Sequence, residues 1–191
     1  MWVFKKGGNT LKDIVIISAS SSPNSRLNGI LQFVKEKWTN EGIKVCQVNI
    51  GDLPTEALIK SDFNNEEIKG ALNKIENSIG VVIAGPVYKA SYSGLLKIFL
   101  DLIPQNGLKN KVVLPIFIGG TIAHLLSLDY ALKPVLSVLG GNHFVTGVYA
   151  IDDWVIRDYQ NHFSLANELT ERLNKATEEL SEELIWLAVR P

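Results

Sequence analysis

IVIISASSSPNSRLNGIL, residues 14–31, decides the reading of this chain. Ile14, Val15, Ile16 and Ile17 form an unbroken apolar run, the mark of a strand buried on both faces of a parallel sheet. The run enters a serine-rich loop whose far end opens an amphipathic helix. Ser18, Ser20, Ser21, Ser22 and Ser25 supply hydroxyl groups, Arg26 supplies a planar cationic fork, and the opening amides of the helix add further donors. A junction of this kind suits a phosphate. The spacing S-x-S-x4-S-R is neither the G-x-G-x-x-G of dinucleotide sites nor the GK[ST] of a P-loop, which leaves a mononucleotide phosphate as the expected ligand. The plainer alternative is that the serines only shape a turn and that Ser25 caps the helix.

Outward from this segment, strands and helices alternate. After a strand at about 13–18, Leu27, Ile30, Leu31, Val34 and Trp38 recur at helical spacing over 26–41, and Gly42 ends that helix. A second strand is expected at about 43–50, followed by a variable stretch and a short helix over 65–77 with Ile68, Ala71, Leu72 and Ile75 on one face. The third strand runs from Ile79 to Ala84 and is expected to end in a rigid turn at Gly85-Pro86; Ser93 then caps a helix to about Leu102. The fourth strand spans Lys111 to Ile118 and stops at Gly119-Gly120. Ala123 to Leu139 reads as one long leucine-rich helix, Phe144 to Ala150 as a fifth strand, and Leu165 to Val189 as a last helix after an irregular stretch. Five βα units predict a doubly wound α/β fold with a five-stranded parallel sheet in the order 2-1-3-4-5. Residues 13–191 are expected to form a single domain preceded by an N-terminal extension at 1–12, with no internal repeat.

Composition narrows the function classes. At 191 residues, 46% hydrophobic and 20% charged, the chain has the balance of a globular protein, not a disordered one. A formal net charge of −1 gives no electrostatic case for nucleic acid or an anionic membrane. No apolar stretch approaches the ~20 residues needed to span a bilayer. The opening MWVFKKGGNTLKD lacks a long apolar core and a cleavage motif, so a cytoplasmic protein is expected. Cys46, the single cysteine, rules out disulfides within the chain and Cys-rich metal sites, and reads as a small core residue. Three scattered histidines without clustered carboxylates predict no metal site.

In sheets of this order, ligands lie beyond the carboxyl ends of the strands, at the switch point between strands one and three. Three loops arrive there: the serine loop, GPVYKASYSGLLK (residues 85–97) and GGTIAH (residues 119–124). Val87, Tyr88, Lys89 and Ala90 would form a short platform, and Gly119-Gly120 would admit a flat ligand close to the backbone. A phosphate loop flanked by two loops suited to a planar ring describes an FMN site.

The segments ASSSPNSR, GPVYKASYSGLLKIFLDLIP, KNKVVLPIFIGGTIAHLLSLDYALKPVLSVLG and HFVTGVYA resemble the NADPH-dependent FMN reductase family of flavodoxin-like fold. Within it they are most similar to the flavin reductase component of two-component alkanesulfonate monooxygenases. The resemblance covers roughly residues 13–160, with Ala19 standing where the wider family often has Gly. It implies an FMN phosphate on Ser20, Ser25, Arg26 and the Leu27 amide. The isoalloxazine ring would lie against Pro86, Val87, Tyr88 and Lys89, with Ser93 nearby and Gly119, Gly120 and Thr121 on the pyrimidine side.

The chemistry so implied is hydride transfer from NADPH to FMN, with reduced flavin passed to a partner monooxygenase. It requires no nucleophile or general base from the protein, so no catalytic residue is named. Lys89 could offset charge on the reduced ring or an NADPH phosphate, or be a plain solvated lysine; His124 is a candidate NADPH or flavin contact. His143 and His162 read as structural, and Asp152-Asp153 as a solvated pair. In the resembling sulfonate-linked reductases, a Tyr matching Tyr130 accompanies an inserted residue that makes a π-bulge at a subunit interface. A homotetramer is implied. Two rivals stay open: a quinone, azo-dye or metal-ion reductase with bound FMN, and a non-enzymatic electron carrier of flavodoxin type.

Overall fold

The computed structural model describes residues 13–20, 22–160 and 162–189; Ser21 and the extension at 1–12 lie outside the described residues. The first half of the chain runs β1 (Asp13–Ser18), α1 (Leu27–Asn40), β2 (Val45–Asn49), α2 (Thr55–Ile59), α3 (Glu66–Glu76), β3 (Ser78–Tyr88), β4 (Ser91–Tyr92) and α4 (Gly94–Leu100). The second half runs β5 (Val112–Gly119), a π-helical turn (Leu128–Leu132), α5 (Lys133–Val138), β6 (His143–Phe144), β7 (Val148–Ile151), β8 (Val155–Arg157), β9 (Phe163–Leu165) and α6 (Asn167–Val189).

The parallel sheet has the order β2-β1-β3-β5, and its fifth position is shared by β6 and β7, which pair with successive parts of β5. This is the expected order with the last strand broken in two. The break has a chemical cause in β5. Val113 presents its carbonyl to the Val145 amide at 3.1 Å, and two residues on, Pro115 faces the same neighbour with no N–H to offer.

Strand residues alternate between two apolar layers. Ile14, Ile16, Val82, Ala84, Leu114 and Ile116 pack with α1 and α6 on one face. Val15, Ile17, Val81, Ile83, Val113 and Phe117 pack with α3, α4 and α5 on the other. Burial on both faces is why these strands read as continuous apolar runs. Gly42 has φ +80° immediately after α1, the left-handed position that favours glycine at a helix end. No helix among the described residues is long and apolar enough to cross a membrane.

Three expectations need correction. β3 does not stop at Ala84: it continues through Gly85-Pro86, where Pro86 still registers with Ile118, and leaves the sheet as a hairpin with β4. The stretch from Ala123 to Leu139 is not one helix but a 3-10 turn (Ile122–His124), the π turn and α5. Pro134 explains the break, because in an α-helix its nitrogen would have to donate to the Tyr130 carbonyl and cannot; a π turn moves that demand one residue on. The irregular stretch before the last helix contains the antiparallel β8–β9 hairpin, and α2 also lies in a stretch with no predicted element.

Candidate functional site

The three loops do converge beyond the ends of β1, β3 and β5. The Ala19 amide donates to the Ala84 carbonyl at 2.8 Å, so the serine loop leaves the sheet still tied to β3. A Cβ on Gly85 would lie 3.4 Å from that of Ala19, and one on Gly119 would lie 3.4 Å from that of Val87. Small residues at these contacts are what allow the loops to close on one another.

Within the serine loop most polar groups serve the loop itself. Ser20 Oγ donates to the Ser22 carbonyl at 2.9 Å, and Ser22 Oγ accepts from the Asn24 amide at 3.1 Å. Asn28 Nδ2 donates to the Pro23 carbonyl at 2.8 Å. Ser25 Oγ accepts from the Leu27 amide at 3.3 Å, a local turn bond two residues long that engages the first amide of α1, whose N-cap is Arg26. Arg26 differs. Its side chain is exposed, its Nε donates to the Val155 carbonyl of β8 at 3.0 Å, and its two terminal nitrogens bond to no other described residue. A guanidinium fixed at one nitrogen, with a cationic edge left open at the start of α1, is suited to an anion.

A polar cleft of about 510 Å³ lies on the β2 side of this loop, lined by Ser20, Asn28, Gln32, Lys35, Gln47 and Asn49 among others. Of the residues nominated from the sequence it contains only Ser20 and Ser22, and it is not at the switch between β1 and β3. The open edge of Arg26 is the better guide to the site, because it is a cation held where β1 runs into α1.

The second loop is a two-residue hairpin in which Tyr88 pairs with Ser91 and Val87 with Tyr92. Its turn residues, Lys89 and Ala90, have φ +50° and +64°, the left-handed pair of a type I′ turn, where Asn-Gly is normal. Tyr88 is 58% exposed at the tip. Ser93 is buried and its Oγ accepts from the Leu96 amide at 3.2 Å, so it caps α4 and its hydroxyl oxygen is engaged there.

The third loop is held by a residue the sequence reading missed. Tyr149 of β7 is buried and its hydroxyl donates to the Thr121 carbonyl at 2.9 Å. Burial, reinforced by the nearby Asp152 carboxylate, raises the Tyr149 pKa, so the phenol stays a donor. Thr121 Oγ1 accepts from the Ala123 amide at 3.3 Å, and His124 is half-buried in the 3-10 turn that follows. Of the expected solvated pair, Asp153 is exposed, and Asp152 is half-buried with its carboxylate acting on Tyr149. His143 pairs with Glu183 at 3.0 Å and registers with Val112 at the opposite end of the sheet. His162 pairs with Asp158 at 3.1 Å at the β8–β9 tip. The one sequence signal that could have found Tyr149 was its place in an otherwise small-residue and apolar strand, VYAI.

The chain matches the model of the family described as NADPH-dependent FMN reductase over residues 13–155. It is 40% identical to an FMN reductase (NADPH) of Escherichia coli K12 over 165 residues, which span 85% of this chain and 86% of that protein. It is 36% identical to an FMN reductase (NADPH) of Pseudomonas putida KT2440 over 181 residues, 93% of this chain and 90% of that one. Among solved structures, the apo form of an NADH:FMN oxidoreductase (EMOB) superposes with a TM-score of 0.82 at 32% identity, covering 94% of this chain and 92% of the other. With a family model that covers residues 13–155 and relatives similar over most of their length, the chain belongs to the NADPH-dependent FMN reductase family.

Proposed function

We propose that this chain reduces FMN with NADPH, taking the flavin as a substrate, and supplies reduced flavin to a partner monooxygenase. The observation that carries the reading is Arg26: in a chain of this family, an exposed guanidinium pinned by one nitrogen sits at the mouth of the switch point. In this reading Arg26, Ser20, Ser25 and the Leu27 amide take the FMN phosphate. Pro86, Val87, Tyr88 and Lys89 carry one side of the ring with Ser93 behind them, and Gly119, Gly120 and Thr121 border its pyrimidine edge. His124 lies at the nicotinamide approach. Hydride passes from the nicotinamide to the flavin, so the protein's share is to bind, stack and align. The partner role rests on the resemblance of PVYKASYSGLLK and GGTIAHLLSLDYALKPVL to sulfonate-linked flavin reductases.

The same reading includes a homotetramer. Ile122, Leu125, Leu126 and Tyr130 are all exposed around the 3-10 and π turns, Tyr130 at 79%. An apolar surface of this kind favours burial against another copy.

The test is steady-state NADPH oxidation with FMN varied, using protein whose visible spectrum is recorded as purified. Largely colourless protein and a rate that saturates with FMN are expected. Stoichiometric yellow FMN and indifference to added flavin would replace this reading with a reductase that keeps its flavin. Failure of NADPH to reduce the flavin at all would leave an electron carrier.

A further inference from the structure

The β8–β9 hairpin grips the serine loop at two points and α1 at a third. The Val155 carbonyl takes Arg26 Nε at 3.0 Å. Arg157 Nη1 donates to the Asn24 carbonyl at 3.0 Å, inside the loop. Phe163, which pairs with Arg157 across the hairpin, packs so closely on Gly29 of α1 that a Cβ there would lie 2.5 Å from its ring. The hairpin is itself held. The Ala166 amide bonds the Trp154 carbonyl at 2.9 Å, Arg172 of α6 lies over the Trp154 ring at 5.2 Å, and Asp158 closes the tip by accepting from the Gln160 and His162 amides.

We propose that this hairpin is a clamp that sets selectivity for a phosphate-bearing flavin, acting through Arg26 and Asn24 and not by touching the ligand. The inference rests on the assignment of Arg26 to the phosphate. An arginine side chain left free has many rotamers, and each hydrogen bond to an anion must first overcome the cost of ordering it. With Nε held by a backbone carbonyl, the plane of the guanidinium is set before ligand arrives, and the donors left over point one way. Arg157 does the same for the loop backbone. Riboflavin, which has no phosphate, gains nothing from either, so the hairpin separates FMN from riboflavin without contacting the ring. Val155 and Arg157 are positioning residues in this account.

The experiment compares KM for FMN and for riboflavin in Arg157→Ala, Arg157→Lys, Arg26→Ala and the Arg26→Ala/Arg157→Ala double variant. Arg157 is exposed and its truncation leaves the core intact. Arg157→Ala is expected to lower the riboflavin-to-FMN KM ratio about fivefold, the size of one hydrogen bond, with kcat within about twofold and Arg157→Lys recovering part of the ratio. The double variant is expected to lose discrimination beyond Arg26→Ala alone, because Arg157 holds the Asn24 carbonyl and so orders the loop that carries Ser20, Ser25 and the Leu27 amide. A double variant no worse than Arg26→Ala would show that the hold of Arg157 on the loop adds nothing of its own and would overturn the clamp. Normal discrimination in Arg157→Ala, with discrimination lost in Arg26→Ala, would sink the clamp and leave the site assignment standing. Unchanged discrimination in Arg26→Ala would remove the site assignment, and the clamp with it.

Discussion

The hydroxyl of Tyr149 fills the space in which a side chain on Gly119 would begin, and that hydroxyl also holds the Thr121 carbonyl at 2.9 Å. The path of the loop after β5 is therefore fixed from β7, one strand away. Gly119→Ala should cost about 1–3 kcal/mol through overpacking, and Tyr149→Phe about 1 kcal/mol through the lost hydrogen bond. The double variant should recover part of the Gly119→Ala loss, because the atom in the way is gone. Denaturant unfolding of the three variants tests this, and strict additivity would show that the two residues do not compete for the same space.

The same tyrosine gives a pH prediction. Its pKa in the folded protein is raised above 10.0, first by burial and then by Asp152. The unfolded phenol ionises near its ordinary value while the buried one keeps its proton, so the unfolded state binds fewer protons there. The contribution of Tyr149 is complete below pH 10.0 and is lost as pH rises through the folded-state value. Melting curves between about pH 8 and 11 should fall less steeply for Tyr149→Phe than for the unaltered protein. Parallel curves would show that Tyr149 ionises alike in both states.

Lys89 and Ala90 hold left-handed φ angles that side chains disfavour. Strain of about 1–3 kcal/mol per residue is typical of such positions. Ala90→Gly should relieve part of it, raising the midpoint of thermal unfolding by about 2–4 °C for each kcal/mol gained in a chain of this size. If the hairpin is held in this form to present Tyr88 and Lys89 to the flavin, the gain in stability should come with weaker FMN binding. A lower midpoint in Ala90→Gly would place the strain elsewhere.

Arg26→Ala should weaken FMN binding by one to two decades, since a hydrogen bond to a charged group is worth about 1.5–3 kcal/mol. Riboflavin affinity should hardly change. Titration of flavin fluorescence measures both, and equal losses would move Arg26 away from the phosphate.

The parts of the fold that were legible in the sequence are those with one dominant signal. Ile14–Ile17 and Val81–Ala84 announced buried strands because both faces of the sheet are covered. The serine loop announced itself by its density of hydroxyls ahead of Arg26. What could not be read depends on partners distant in sequence. Pro115 looks like any proline in an apolar run until its neighbour strand is known, and Val155 contributes a carbonyl, which no side-chain pattern reports. The breaks in residues 123–139 were hidden because the leucines there satisfy helical periodicity whether the turns are 3-10, π or α.

Tyr130 sits at the middle of the π turn, flanked by buried Leu128 and Leu132, and its own side chain is 79% exposed. A π turn holds one residue more than an α turn over nearly the same rotation. Deleting Tyr130 therefore lets the turn become α-helical while Leu128, Leu132 and Leu136 keep close to their present directions. At 100° per residue, removing one residue from a regular helix would instead swing everything beyond it out of register. The Tyr130 deletion should fold, with its midpoint of thermal unfolding lowered by only a few degrees, whereas deletion of Leu136 from α5 should not give folded protein. In the proposed homotetramer Tyr130 belongs to the covered apolar surface with Leu125 and Leu126, so the deletion should also shift the particle mass toward smaller species in light scattering. Equal damage from the two deletions would show that the π turn does not absorb the missing residue, and an unchanged particle mass would take Tyr130 out of the subunit contact.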